Sequence, residues 1–200
     1  MFLKTNIFKK LCRLAWKGSG LCFHNIDGVY VINGGFWQVE VGAEELTNPE
    51  KAVLIEIAGD MPEEGEHFQM NLVKKYNEKQ TILEGAKIMD LDIRRFTRRA
   101  AVLPIVLTEG IEANVIRLKD TQECRLLPRI AFQMVTHEET EGVADPDGLL
   151  YDPADKSVMA YTNGLSTVYI LSPGVKEDTW EHGFLEFLRE IDTGERYAAE

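Results

Sequence analysis

A chain of 200 residues with 44% apolar and 28% charged residues can bury a real core, which excludes a disordered class. Cys12, Cys22 and Cys124 form no CxxC pair, so they read as reduced thiols, small buried hydrophobes of a protein from a reducing compartment. The net charge of −11 is unevenly spread: residues 1–20 carry Lys4, Lys9, Lys10, Arg13 and Lys17 and no acid.

Those lysines also break any apolar run at the N-terminus, so no signal-peptide core is expected, and no stretch is long and apolar enough for a membrane span. The expectation is a cytoplasmic protein with no membrane partner. Two units are expected, residues 1–78 and 79–200, packed together as one compact domain.

In chain order, Met1 to Lys4 reads as a short edge strand. Thr5 or Asn6 then caps a helix over Ile7 to Trp16, and Gly18-Ser19-Gly20 stops it. At 100° per residue, Ile7, Phe8, Leu11, Cys12, Leu14, Ala15 and Trp16 fill one broad side. Lys9, Lys10, Arg13 and Lys17 share an opposite arc of about 100°. A meander follows: Leu21 to His24, Val29 to Ile32 and Phe36 to Val41, turned at Asp27-Gly28 and Asn33-Gly34-Gly35. Ala52 to Ala58 reads as a fourth strand, and Asp60 to Glu66 as an acidic loop.

Phe68 to Tyr76 fits a short helix or a strand, and Gln80 to Met89 looks extended. Asp90 caps a second expected helix over Leu91 to Ala101, ended by Pro104. On its wheel Arg94, Arg95, Arg98 and Arg99 fall within about 140°, opposite Ile93, Phe96, Ala100 and Ala101. Further strands are expected at Pro104 to Thr108, Asn114 to Leu118 and Arg125 to Val135. His137 to Asp155 reads as a long acidic loop. Ser157 to Tyr161 and Leu165 to Leu171 flank the hairpin signal Asn163-Gly164. An amphipathic helix over Asp178 to Ile191 carries Trp180, Phe184, Phe187, Leu188 and Ile191, and the chain frays after Thr193. The fold class is α+β: antiparallel sheets with amphipathic helices packed on one face.

No catalytic or cofactor motif stands out. Gly18-Ser19-Gly20 lacks the later glycine or Lys-Ser/Thr of a phosphate loop. His24, His67, His137 and His182 are scattered singly, and Asp145, Asp147, Asp152 and Asp155 lack calcium-loop spacing. Cys22 and His24 share a strand face without an oriented base relationship that sequence can establish. No enzyme activity, metal or cofactor is expected.

The basic arcs have two readings. They are the solvated sides of ordinary amphipathic helices, paired in part with acidic loops, or they contact phosphates and release counterions without reading sequence.

The order of elements in Asn6 to Val41 resembles the repeating unit of DNA polymerase sliding clamps. That unit is a channel-side helix, a hairpin and further antiparallel strands. The resemblance is carried by the helix Ile7 to Trp16, by Gly20 to Asn33 with its Asp27-Gly28 turn, and by Phe36 to Val41. Leu91 to Ala101 stands as the counterpart helix of a second clamp-like unit. The resemblance implies that Lys9, Lys10, Arg13, Lys17, Arg94, Arg95, Arg98 and Arg99 face double-stranded DNA in a role in DNA replication. Two or three clamp domains do not fit in this length, so it supports one clamp-like domain. The alternative is an interaction or assembly subunit without nucleic acid, self-associating or binding another protein through aromatics such as Trp37, Trp180 or Phe184.

Overall fold

The computed structural model describes residues 2–81, 91–108, 112–136 and 148–191. The expected extension over Gln80 to Met89, Asp90 as a cap, most of the acidic loop His137 to Asp155 and the tail after Thr193 lie outside them.

Phe2 and Leu3 run extended beside Val135, with Leu3 forming a single antiparallel bridge to it. The first helix, α1, spans Thr5–Lys17. It starts two residues before the expected position, because Thr5 does not cap it; its hydroxyl donates to Glu50 Oε1 at 3.0 Å instead. Phe8, Leu11, Cys12 and Ala15 are buried, at i, i+3, i+4 and i+7 on the expected apolar face. Strands β1 (Leu21–Ile26), β2 (Val29–Asn33) and β3 (Trp37–Gly42) form the expected meander. Asp27 and Gly28 both take positive φ, 51° and 74°, the turn that matches strand twist, and Glu64 accepts from both of their N–H groups.

Ala52 to Ala58 is not a strand. It is the body of helix α2, Asn48–Ala58. The decisive chemistry precedes the apolar run: Thr47 and Glu50 form a reciprocal capping box, Pro49 sits in the first turn, and Gly59 closes the end at φ 84°. Phe68 to Tyr76 resolves into the end of β4 (Glu66–Asn71), a turn, and the start of β5 (Tyr76–Thr81).

The second expected helix is likewise absent. Ile93–Arg95 forms one 3-10 turn, and Arg98–Leu107 is strand β6. Val102, Ile105 and Val106 are β-branched and favour a pleated strand, and β6 pairs with its neighbours on both sides, which outweighs helix propensity. Pro104 ends no helix; it lies where the pairing of β6 shifts between Val102 and Val106. Strand β7 is Ala113–Leu118 and β8 is Cys124–Pro128. The expected strand to Val135 stops at Pro128, after which α3 (Arg129–Phe132) makes one helical turn. Strands β9 (Leu150–Tyr151), β10 (Val158–Thr162) and β11 (Ser166–Leu171) and helix α4 (Trp180–Glu190) complete the described chain.

All the described strands join one antiparallel sheet in the order β5-β4-β1-β2-β3-β11-β10-β9-β6-β7-β8. The fold is α+β. Its main core lies on one face of this sheet, where Leu21, Phe23, Trp37, Val39, Phe68, Tyr161 and Val168 meet α1, α2 and α3. Helix α4 takes the other face: Val115 on β7 packs with Leu185 and Leu188, while its neighbour Ile116 points into the main core. Trp37 is therefore not an exposed aromatic. It is fully buried against Phe8, ring centroids 6.2 Å apart. No described helix is long and apolar enough to cross a membrane.

The thiols are free; Cys12 and Cys124 are buried, while Cys22 is half-buried. The four histidines are not all isolated. His24 and His67 face each other across β1 and β4 with ring centroids 5.7 Å apart. Both ring nitrogens of His24, and Nδ1 of His67, are buried without a hydrogen-bond partner.

Two outcomes follow. At Gly34 an added Cβ would sit 2.3 Å from the Trp37 ring, so Gly34→Ala should destabilise the protein by about 1–3 kcal/mol in urea unfolding. Burial, reinforced by His67, lowers the His24 pKa to about 4, and burial also lowers that of His67. The folded state keeps these rings neutral while the unfolded chain protonates near pH 6.5, so stability falls as pH drops from about 6.5 towards 4. Discounted for solvent screening, His24→Leu should remove about 1 kcal/mol of the loss seen between pH 7.5 and pH 5.

Candidate nucleic-acid interface

The seating of α1 fixes where its charges go. With Phe8, Leu11, Cys12 and Ala15 inward, Lys10 and Lys17 are exposed and Lys9 and Arg13 half-exposed. Lys10 and Lys17 lie seven residues apart, about 10 Å along the axis. Helix α2 packs alongside, and Glu56 is the one exposed acid on these two helices. Arg13 Nη2 donates to Glu56 Oε2 at 2.7 Å. That bond raises the Arg13 pKa and lowers that of Glu56. Arg13 is thus held towards α2 by an exposed, salt-screened pair.

Two lysines join this surface that the sequence reading did not connect to it. The β4–β5 turn docks on the end of α1: Leu72 N–H donates to the Trp16 carbonyl at 2.9 Å, and Asn71 Nδ2 to the Gly18 carbonyl at 3.0 Å. Lys74 and Lys75, both exposed, follow in that turn and extend the basic edge beyond Lys17. The signal was present as a Lys-Lys pair, but only the turn's docking shows which helix end it meets.

The other four arginines do not form a matching face. Arg94 Nη2 contacts Asp92 Oδ2 at 2.7 Å, and this pairing holds the Asp92 carboxyl well down, at about 2. Arg95 Nη2 contacts the buried Asp152 at 2.6 Å. Their turn is anchored by Phe96 on Val158, Ala160 and Tyr169, the sheet face opposite α1. Arg98 and Arg99 are neighbours on a strand, so they point to opposite faces. The helix Leu91 to Ala101, on which all four shared an arc, does not exist.

Elsewhere, no three His, Cys, Asp or Glu residues among the described ones gather to hold a metal. A cavity of about 360 Å³ lies between Phe36, Pro128, Leu171 and Pro173; it is apolar apart from Ser172, with nothing to hold an anion.

No family model matches the chain, and no curated protein is similar to it in sequence. Two solved structures are similar. The β subunit of DNA polymerase from Streptococcus pyogenes aligns at 12% identity over 88% of this chain and 65% of its own, with a TM-score of 0.32. The DNA polymerase III β chain from Streptococcus pneumoniae TIGR4 aligns at 7% identity over 86% of this chain and 64% of its own, with a TM-score of 0.36. The chain thus spans just under two thirds of either length. The weak sliding-clamp resemblance read from residues 6–41 has its counterpart in these structures, as a distant likeness of fold.

Proposed function

We propose that the chain is a DNA-associated protein, without chemistry of its own, that contacts duplex phosphates through the outer face of α1. Charge placement carries this reading; TM-scores of 0.32 and 0.36 are too low to add to it. The observation behind it is a helix whose entire charged complement is Lys9, Lys10, Arg13 and Lys17, in a chain of net charge −11. Lys74 and Lys75 continue the surface. Duplex DNA presents one negative charge per about 1.7 Å of axis, so lysines about 10 Å apart meet several phosphates without any base-reading group. Arg94, Arg95 and Arg99 sit on the opposite face and belong to no part of this contact.

Fluorescence anisotropy with a labelled duplex at low and moderate salt tests it. Binding should be evident at low salt and fall steeply as salt rises. Changing Lys9, Lys10 and Lys17 to Gln should weaken low-salt binding about tenfold or more and flatten the log–log salt slope by about one per lysine. Glu56→Gln, which frees Arg13, should strengthen binding, and Arg94→Gln with Arg99→Gln should leave the slope unchanged. Absence of low-salt binding, or a triple-lysine variant that binds like the parent, would sink the proposal.

A further inference from the structure

The face of the sheet opposite α1 carries a second, chemically different surface. Helix α4 buries Leu185 and Leu188 against Leu103, Val115 and Cys124. Its C-terminal carbonyls are held by Arg117, whose Nη2 donates to Leu188 O at 2.6 Å and Ile191 O at 3.0 Å. The helix is therefore fixed by packing and by a buried guanidinium at its negative end. Yet Trp180, Phe184 and Phe187, at i, i+4 and i+7, form a stripe beside the buried side. Trp180 is 52% and Phe187 58% exposed. Trp180 and Phe184 are neighbours, ring centroids 6.3 Å apart, and Ile191 continues the exposed apolar line at the helix end.

Gly183 lies next to this stripe, exposed as the fourth residue of α4, and a Cβ there would meet nothing within 4 Å. Glycine costs helix stability relative to alanine, and no internal close approach accounts for it. It leaves a notch between Trp180 and Phe187 where another backbone can come close. The side of the stripe away from the core is acidic: Glu186 and Glu190 lie there on the helix wheel, exposed Glu177 and Asp178 stand just before the first turn, and of the nearby cations Lys176 and Arg189 the latter is drawn to Glu186 at 3.6 Å.

We propose that this face of α4 docks an amphipathic helix of a partner protein whose apolar side is flanked by Lys or Arg. A helix fits because a single row of aromatic anchors beside a glycine notch admits a close crossing by one rod-like element. The partner's charge follows from the acidic side. A two-fold pairing of α4 with its own copy would set those acidic sides against each other, which disfavours a second copy as the occupant.

The test uses the full chain and two synthetic 18-residue amphipathic helices, leucine-faced, flanked by Lys in one and by Glu in the other. The Lys peptide should bind and the Glu peptide should not. Trp180→Ala with Phe187→Ala should weaken the Lys peptide about tenfold or more, as loss of exposed aromatic anchors does. Gly183→Leu should also weaken it while the thermal midpoint holds or rises, which separates blocked docking from damaged folding. Equal Lys-peptide binding by the double-alanine variant would mean attraction by net charge alone and overturn the proposal. So would a failure of the Lys peptide to bind the parent protein. Sedimentation showing a self-associated parent that the double-alanine variant returns to monomer would assign the stripe to a second copy and overturn it as well.

Discussion

The inner face of β1, β3 and β4 has to be covered, and α1 covers it with Phe8, Leu11, Cys12 and Ala15. Phe8 meets Trp37 edge-on, and Gly34 leaves the indole its space. This seat fixes the rotation of the helix. Turning α1 by one residue, about 100°, would drive Lys9 and Arg13 towards the core and bring Leu11 and Ala15 out, at the cost of desolvating a charge. The basic arc is therefore outward because the apolar contacts leave it no other place. The position of α2, the docking of the β4–β5 turn on Trp16 and Gly18, and the basic edge they share all follow from that seating.

Elements were legible where one local signal agreed with the packing. The arc of α1 combines a clean apolar side with a glycine stop. Asp27-Gly28 and Asn163-Gly164 supply the positive φ that their hairpins need. The strands of the meander alternate, so Trp37, Val39 and Val41 separate correctly from Gln38 and Glu40. Helix α2 was misread because AVLIEIA has no usable period; the capping box lies upstream, at Thr47, Pro49 and Glu50. The segment Leu91 to Ala101 failed for the opposite reason. Its arginines made a plausible wheel, but pairing of β6 with β7 and β9 decided its conformation, and no local pattern carries that information. Trp37 and the His24–His67 pair needed tertiary knowledge too: a side chain's exposure, and a partner on another strand.

The charge distribution is directional. One face of the sheet bears α1, whose charged residues are all basic; the other bears α4, with three glutamates to one arginine. In the proposed contact this asymmetry would orient the molecule before it touches a polyanion, with Arg94 and Arg95 on the far face held by Asp92 and Asp152. The same arrangement keeps the two surfaces from quenching each other within one molecule, because the sheet and its cores stand between them.

Glu50 ties the beginnings of α1 and α2 together. One oxygen of its buried carboxylate accepts from the Thr5 hydroxyl, and the other from the Thr47 hydroxyl and N–H. A single anion is thereby shared between two helix starts that are 42 positions apart in the chain, judged from Thr5 and Thr47. Neither helix can slide along its axis without breaking the Thr5–Glu50 bond, which draws on the same carboxyl group that closes the α2 capping box. The two helix starts are thus cross-linked through one buried side chain as well as by the packing of α1 on α2.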